Sequence, residues 1–214
     1  MTRPWLRALA LAGAVATTAT RFAVPALAAA PPAPGIQVKD QDWKCTAGFA
    51  AQGADGSYYL FTSGHCYHPA ASRWTYGQGV ALGKVTLSVE EADRRDAAII
   101  QLDPEVGVPV AAVGGAAVRD VLSADQLPVG TRLCKLGAIS GETCGTIKSV
   151  DDELAVASVS AKPGDSGSAG YVHNADGTVS AVGILSGSLD GAPNTTVFVL
   201  VQPLLGSWGL RLLS

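Results

Sequence analysis

The sequence predicts an all-β protein, a sandwich or a pair of barrels. Three observations carry this expectation: short runs rich in Val, Ile, Thr and aromatic residues recur along the chain, Gly-rich turns punctuate them, and helical periodicity is scarce. Thr46–Ala51 and Tyr58–Thr62 read as strands around Ala54-Asp55-Gly56, a hairpin signal. Val80–Val89 alternates as a half-buried strand does, and Ala97–Leu102 is a short apolar run suited to a fully buried one. Gly107–Pro128 is looser and reads as the crossover between two halves. Beyond it, Thr131–Leu136, Gly145–Val150, Ala155–Val159, Ala169–His173, Val179–Leu185 and Thr196–Val201 read as strands, with Asn174-Ala175-Asp176-Gly177 as a hairpin turn. The best helix candidate is Gln202–Trp208, with Pro203 at an early position.

The first residues read as an address rather than structure. Arg3 and Arg7 give a positive start, Ala8–Thr20 is apolar and small, and Ala26-Leu27-Ala28 is the small-x-small pattern that a signal peptidase cuts after. The run is too short for a membrane span and Arg21 interrupts it, so we expect secretion and no membrane span. Residues 1–28 carry three arginines and no acid, so their removal leaves 12 basic against 18 acidic residues, a net charge of −6. That balance lacks the basic face a nucleic-acid partner needs. About 186 residues remain, enough for one compact unit or two small packed barrels, expected as a monomer. Ala29–Pro34 is a Pro/Ala segment without periodicity, and residues 29–44 read as an N-terminal linker.

Four cysteines, Cys45, Cys66, Cys134 and Cys144, would enter an oxidising compartment. An even count there favours two disulfides, with three possible connectivities. Pairing nearest neighbours gives Cys45–Cys66 and Cys134–Cys144. A zinc site is the rival reading because Cys66 and His68 are close, but no second ligand pair has metal-site spacing. No metal or cofactor is expected.

The chemistry centres on Pro163-Gly164-Asp165-Ser166-Gly167. A serine hydroxyl needs a base to become a nucleophile, and backbone N–H groups to receive the oxyanion. Of the three histidines, His65 in Thr62-Ser63-Gly64-His65-Cys66 follows a predicted strand and adjoins a cysteine that would fix its backbone. His68 reads as a solvated loop residue and His173 as surface. Asp96, ahead of Ala97-Ala98-Ile99-Ile100, is expensive to desolvate without a partner, and an imidazolium is one such partner. The bland reading pairs Asp96 with Arg94 or Arg95. Asp93 lies in a charged run and Asp103-Pro104 is a natural turn, so both are set aside.

Thr62-Ser63-Gly64-His65-Cys66, Asp96-Ala97-Ala98-Ile99-Ile100 and Gly164-Asp165-Ser166-Gly167 resemble, in order, the three motifs of chymotrypsin-like serine proteases. Leu133-Cys134-Lys135 through Glu142-Thr143-Cys144 is similar to the second disulfide loop of the secreted bacterial branch, that of streptogrisin and alpha-lytic protease. The ending from Gln202 to Leu212 resembles the branch's C-terminal helix and last strand. The resemblance implies two packed six-stranded antiparallel β-barrels, one over residues 45–120 with His65 and Asp96, one over 121–214 with Ser166. It also implies a serine endopeptidase acting on protein or peptide substrates, with an oxyanion hole from the N–H groups of Gly164 and Ser166. Asp165 would be a buried acid holding that loop, with Lys135 where the bacterial branch has an arginine.

The chain departs from the family in three ways. Ser168 stands where glycine is usual, Lys135 replaces the arginine, and cysteines for a disulfide around the specificity pocket are missing. These departures motivate an alternative, a catalytically silent relative that binds peptide or cell-wall partners. Ser186-Gly187-Ser188 resembles the edge segment that pairs with substrate, its first serine also touching the catalytic aspartate. Ser160 occupies the position of the pocket-floor aspartate of trypsin-like enzymes, so Arg or Lys before the cut is not expected. A small or apolar residue is the default, with Lys162 at the pocket mouth able to attract an acid.

Overall fold

In the computed structural model the placement of Met1 and of residues 29–41, 43–68, 73–91, 95–189 and 192–214 is described. The expected signal peptide, residues 2–28 after Met1, and the expectations on Asp93 and Arg94 lie outside these residues. Among the described residues, no helix is long and apolar enough to cross a membrane.

Among the described residues, sixteen strands form two sheets. The first contains β1 (Gln37–Asp40), β2 (Trp43–Thr46), β3 (Ala50–Gly53), β4 (Tyr58–Thr62), β5 (Trp74–Tyr76), β6 (Val80–Glu91), β7 (Arg95–Leu102) and β16 (Leu210–Leu212), in the order β16-β3-β4-β7-β6-β5-β1-β2. The second contains β8 (Ala112–Val113), β9 (Ala116–Val121), β10 (Arg132–Gly137), β11 (Gly141–Val150), β12 (Leu154–Ala157), β13 (Ala169–His173), β14 (Val179–Leu189) and β15 (Ala192–Leu200). Its order is β13-β10-β11-β12-β15-β14-β9-β8, and β13 also pairs with β14. That last ladder closes six strands into a barrel.

Closure differs between the halves. The second half is the expected six-stranded barrel, extended by β9, which adds to β14 in parallel. The first half curls into a half-barrel of eight strands, with no closing ladder among the described residues, and beside the closed barrel it matches the expected two-barrel architecture. The division of the chain at residue 120 shifts accordingly. β8 and β9 belong to the second sheet, while the C-terminal β16 crosses back to pair with β3 of the first.

Three apolar clusters account for this arrangement. Val38, Leu60, Trp74, Leu82 and Ile100 fill the first sheet, and Leu133, Ile147, Val182, Leu185 and Phe198 fill the barrel. The third joins the halves, with Phe49, Phe61 and Ile99 meeting Tyr171, Ile184 and Val199. Alternate residues of a strand face opposite sides. β7 is buried on both faces because Ile100 and Leu102 point into the first sheet while Ala97 and Ile99 point into the seam. Helix α1 (Val201–Trp208) packs Trp208 on Phe61, centroids 5.7 Å apart, and ends at Gly209, whose φ of 62° is the left-handed cap.

Several expectations about the N-terminal half are corrected. The presumed linker, residues 29–44, includes β1 and the start of β2, and Val110 N–H donates to Pro32 O at 2.9 Å. Its Lys and Asp residues hid the strands. The single strand expected over Thr46–Ala51 is broken between β2 and β3, at Ala47-Gly48-Phe49, where a β-carbon on Gly48 would lie 2.6 Å from Gly167 O. The crossover region holds the β8–β9 hairpin, turned at Gly114-Gly115.

Both disulfides join nearest neighbours in sequence, Cys45–Cys66 and Cys134–Cys144, the latter directly across β10 and β11. The Cys45–Cys66 bridge closes a loop of 21 residues. We predict that the double substitution Cys45→Ala/Cys66→Ala lowers the unfolding free energy by about 3 kcal/mol, measured by urea denaturation.

Candidate active site

His65 sits in a single 3₁₀ turn, Gly64–Cys66, directly after β4. The turn is pressed against β6: a β-carbon on Gly64 would lie 2.1 Å from Val89 O, so no larger residue fits. Cys66 ties the turn to β2 through Cys45. Ser63 Oγ donates to Leu185 O at 2.7 Å and Thr62 Oγ1 donates to Thr46 O at 3.0 Å. These bonds fix the histidine's backbone from both halves of the molecule.

Asp96 stands near the start of β7, just ahead of the seam-facing run, and is 7% exposed. A carboxylate there requires compensation. Its Oδ1 accepts the His65 backbone N–H at 2.7 Å, and its Oδ2 accepts Ser186 Oγ at 2.6 Å and lies 2.7 Å from His65 Nδ1. Burial alone would raise the Asp96 pKa, but the bonds from His65 and Ser186 outweigh it and hold the carboxyl below its ordinary value. The hydrogen bond to Asp96 in turn raises the His65 pKa above its ordinary value, against the opposing effect of burial. Arg95 instead bonds Glu153.

Ser166 lies on the loop between β12 and β13. Its carbonyl accepts Thr46 N–H at 2.7 Å, one residue from Cys45, so the serine loop and the histidine turn hang from the same strand. Gly167 N–H donates to Leu185 O and Leu185 N–H to Ser168 O, at 2.8 and 2.9 Å. Gly167 has φ of 90°, and a β-carbon there would meet Thr46 O and Thr62 Oγ1, each at 2.4 Å. Asp165 and Ser168 also place their N–H groups on carbonyls, those of Lys162 and Asp165. The N–H groups of Gly164 and Ser166 donate to no acceptor among the described residues. They are the pair that the resemblance implies for an oxyanion.

The loop is anchored from beneath by Asp165, fully buried and paired with the equally buried Lys135 at 3.0 Å. The Asp165 carboxylate also accepts the N–H groups of Ile139 and Ser140 at 3.1 Å, the Lys162 N–H at 2.9 Å and Ser140 Oγ at 2.6 Å. Lys135 reaches Ser140 Oγ and Gly141 O as well. Burial pulls in the direction of a neutral acid, but the bonds from Ser140, Lys162 and Lys135 prevail and keep Asp165 below its ordinary pKa. Burial lowers the Lys135 pKa, opposed by Asp165. Ser168, the departure from glycine, is itself buried, and its Oγ donates to Asp165 O at 2.5 Å.

Ser186-Gly187-Ser188 continues β14 beyond Leu185 with β15 alongside, Gly187 opposite Val197 and Ser188 opposite Thr196. Ser160 is exposed, and its Oγ donates to Asn194 Oδ1 at 2.9 Å. His68, expected in solvent, is half-buried and stacks on Trp43 with ring centroids 4.2 Å apart. His173 is half-exposed and bonds Glu142 at 3.1 Å. Thr46, Ser63 and Ser140 were missed by sequence reasoning. The Thr-Ser run ahead of Gly64 is the one local hint of such a network.

Lys135→Met, which keeps bulk but removes the charge, leaves Asp165 buried and uncompensated. We predict a loss of about 3–5 kcal/mol in urea denaturation, most of it recovered by Lys135→Arg. Because the folded pKa of Asp165 lies below 3.8, its stabilising contribution is complete above that value and disappears as pH falls through the lower folded value.

No protein-family model matches the chain. An uncharacterised protein of Mycobacterium tuberculosis is 28% identical over 199 residues, 86% of this chain and 87% of that protein. Nocardiopsis protease is 29% identical with a TM-score of 0.67, over 85% of this chain and 98% of its own. A Cellulomonas bogoriensis chymotrypsin is 27% identical with a TM-score of 0.61, over 84% and 97%. Thermobifida fusca protease A, 24% identical with a TM-score of 0.68 over 85% and 99%, shares the fold. The structural neighbours are bacterial chymotrypsin-like serine proteases, the group the three sequence motifs resemble.

Proposed function

We propose that this chain, whose fold is that of the bacterial chymotrypsin-like serine proteases, is a serine endopeptidase acting as a monomer outside the cytoplasm on protein or peptide substrates. The observation that carries the reading is the Asp96 carboxylate, whose Oδ1 accepts the His65 backbone N–H while its Oδ2 faces His65 Nδ1 and accepts Ser186 Oγ. An aspartate so placed fixes the imidazole tautomer with Nδ1 protonated and Nε2 free to act as a base. The two disulfides and the protease neighbours support an extracellular setting.

In this reading Ser166 Oγ attacks the substrate carbonyl carbon while its proton passes to His65 Nε2. The oxyanion is received by the N–H groups of Gly164 and Ser166, whose donors have no competing acceptor among the described residues. His65 then delivers the proton to the departing amine as the C–N bond breaks, leaving an acyl group on Ser166. Water, deprotonated by the same imidazole, attacks the acyl carbon, and the proton returns to Ser166 as the acid product leaves. Asp96 stays ionised throughout. Its lowered pKa suits that role, since a protonated Asp96 could not stabilise the imidazolium.

Labelling by a fluorophosphonate probe tests the nucleophile. The folded protein is expected to label, and Ser166→Ala and His65→Ala are expected to abolish it. Absence of label on folded protein would sink the proposal. The base is tested by the pH profile. His65 must be neutral, so kcat/KM should rise with pH through a midpoint above about 6.5. Asp96→Asn should lower kcat by about four orders of magnitude and move that midpoint down.

A further inference from the structure

The serine loop rests on the β10–β11 turn, Ala138-Ile139-Ser140. That turn delivers the N–H groups of Ile139 and Ser140 and the Ser140 hydroxyl to Asp165. It is packed closely against the loop: a β-carbon on Gly137 would lie 2.2 Å from Asp165 Oδ1, and one on Gly164 would lie 2.8 Å from Ile139 Cγ1. A displacement of the turn is therefore passed on to Gly164. Lys135 supports the turn too, but its three N–H donors are matched by Asp165, Ser140 and Gly141. On its far side the ladder of β11 with β12 begins only at Ile147, so next to the turn the strand pairs with β10 alone. Its other ties there are side chains. Thr143 Oγ1 donates to Ser160 O at 2.7 Å, Cys144 is bridged to Cys134, and Glu142 reaches across β10 to β13.

Leu136 lies opposite Glu142, and Cys134 opposite both Cys144 and Tyr171, so Glu142, Tyr171 and His173 project from one face of the three strands. Glu142 Oε2 accepts the Tyr171 hydroxyl at 2.5 Å and lies 3.1 Å from His173 Nε2. The two rings meet edge to face with centroids 5.2 Å apart, which orients the imidazole. The Tyr171 ring is buried in the cluster that joins the two halves. Burial and the carboxylate both raise the phenol pKa, so the hydroxyl stays a donor. The bond from Tyr171, aided by His173 and Arg132, holds Glu142 below its ordinary value. The half-exposed Glu142–His173 pair alone would contribute little. The phenol bond differs, because a charge-assisted bond is of the stronger kind and its loss leaves a buried hydroxyl unpaired.

We infer that Glu142 is a positioning residue of the protease proposed above: by holding β11 to Tyr171 and His173 of β13, it fixes the turn that binds Asp165, and through Asp165 the loop that presents the Gly164 and Ser166 N–H groups. The inference rests on the protease reading. Glu142 bonds none of His65, Asp96 and Ser166, so it reaches the reaction only through loop geometry. Its effect falls on the rate of attack by Ser166, when the oxyanion forms, rather than on binding. Tyr171 shares the role because it supplies the other half of the bond.

The test follows fluorophosphonate labelling across probe concentrations, which separates the maximal labelling rate from the half-saturating concentration. It compares the mature protein with Glu142→Leu, Glu142→Gln, Tyr171→Phe and the double variant Glu142→Leu/Tyr171→Phe, each well below its melting temperature. Glu142→Leu should lower the maximal rate by about tenfold and leave half-saturation within about twofold. Tyr171→Phe keeps the ring in the core and should reproduce that loss. The double variant should lose no more than either single one, because both remove the same bond. Glu142→Gln retains a carbonyl for the phenol and should recover most of the rate. Where Glu142→Leu does not fold, Tyr171→Phe decides alone. A purely structural tie would shift the melting temperature and leave the maximal rate of the folded variants intact. That result, or single losses that multiply in the double variant, overturns this inference and spares the protease reading. Failure of the unsubstituted, folded protein to label overturns both.

Discussion

The candidate site depends on keeping one carboxylate ionised in the protein interior. Asp165 has no exposed surface, and an isolated charge in that position would be neutralised or expelled. It is retained because its two oxygens collect N–H groups from Ile139, Ser140 and Lys162, the Ser140 hydroxyl and the Lys135 ammonium. Those donors come from β10, from the β10–β11 turn and from the serine loop itself. Satisfying the charge therefore fixes the loop on which Ser166 rides. The pair is better understood as a positional constraint than as a source of net stability, since a buried ion pair roughly offsets its own desolvation.

From that anchor the order spreads across the seam. Thr46 Oγ1 donates to Gly164 O at 2.8 Å and accepts Ala138 N–H at 3.1 Å, while its backbone N–H holds Ser166 O. One strand of the first sheet thus holds the serine loop at both Gly164 and Ser166. The adjacent Cys45 carries the constraint through its disulfide to the histidine turn, and Ser186 carries it from the barrel to Asp96. Asp96 and Ser166 each bond the sheet they do not belong to, and His65 is tied to the second sheet through its neighbour Ser63. The C-terminal β16, returning to β3, and Trp208 on Phe61 tie the halves at a further place.

Much of this was legible in the sequence because burial patterns are local. The Ala97–Leu102 run announces a strand buried on both faces, and Asp96 at its threshold stands out as a charge in need of a partner. The nearest-neighbour disulfides were legible for the same reason. What was not legible depends on long-range pairing or on polar strands. β1 and β2 carry Lys39, Asp40 and Lys44 and resemble a loop, and β9 joins β14 by a parallel ladder that no local signal encodes. Whether the first half closes is a property of its edges, β2 and β16, some 160 residues apart in sequence. Lys135 opposite Asp165 was reachable only through resemblance, and the bond between Ser160 and Asn194 was not reachable at all, because the two residues meet only after folding.

Buried polar groups locate the chemistry in this fold. Thr46, Thr62, Ser63, Asp96, Lys135, Asp165 and Ser168 are all buried, and every one bonds within the network that sets His65, Asp96 or the serine loop. A fold that needed only stability would fill those positions with apolar residues, which pack at no desolvation cost. Their concentration at the seam marks where geometry has been favoured over stability. The unsatisfied groups extend the same logic. A buried hydroxyl with no partner among the described residues, such as Thr196 Oγ1, is disfavoured by the cost of its own dehydration.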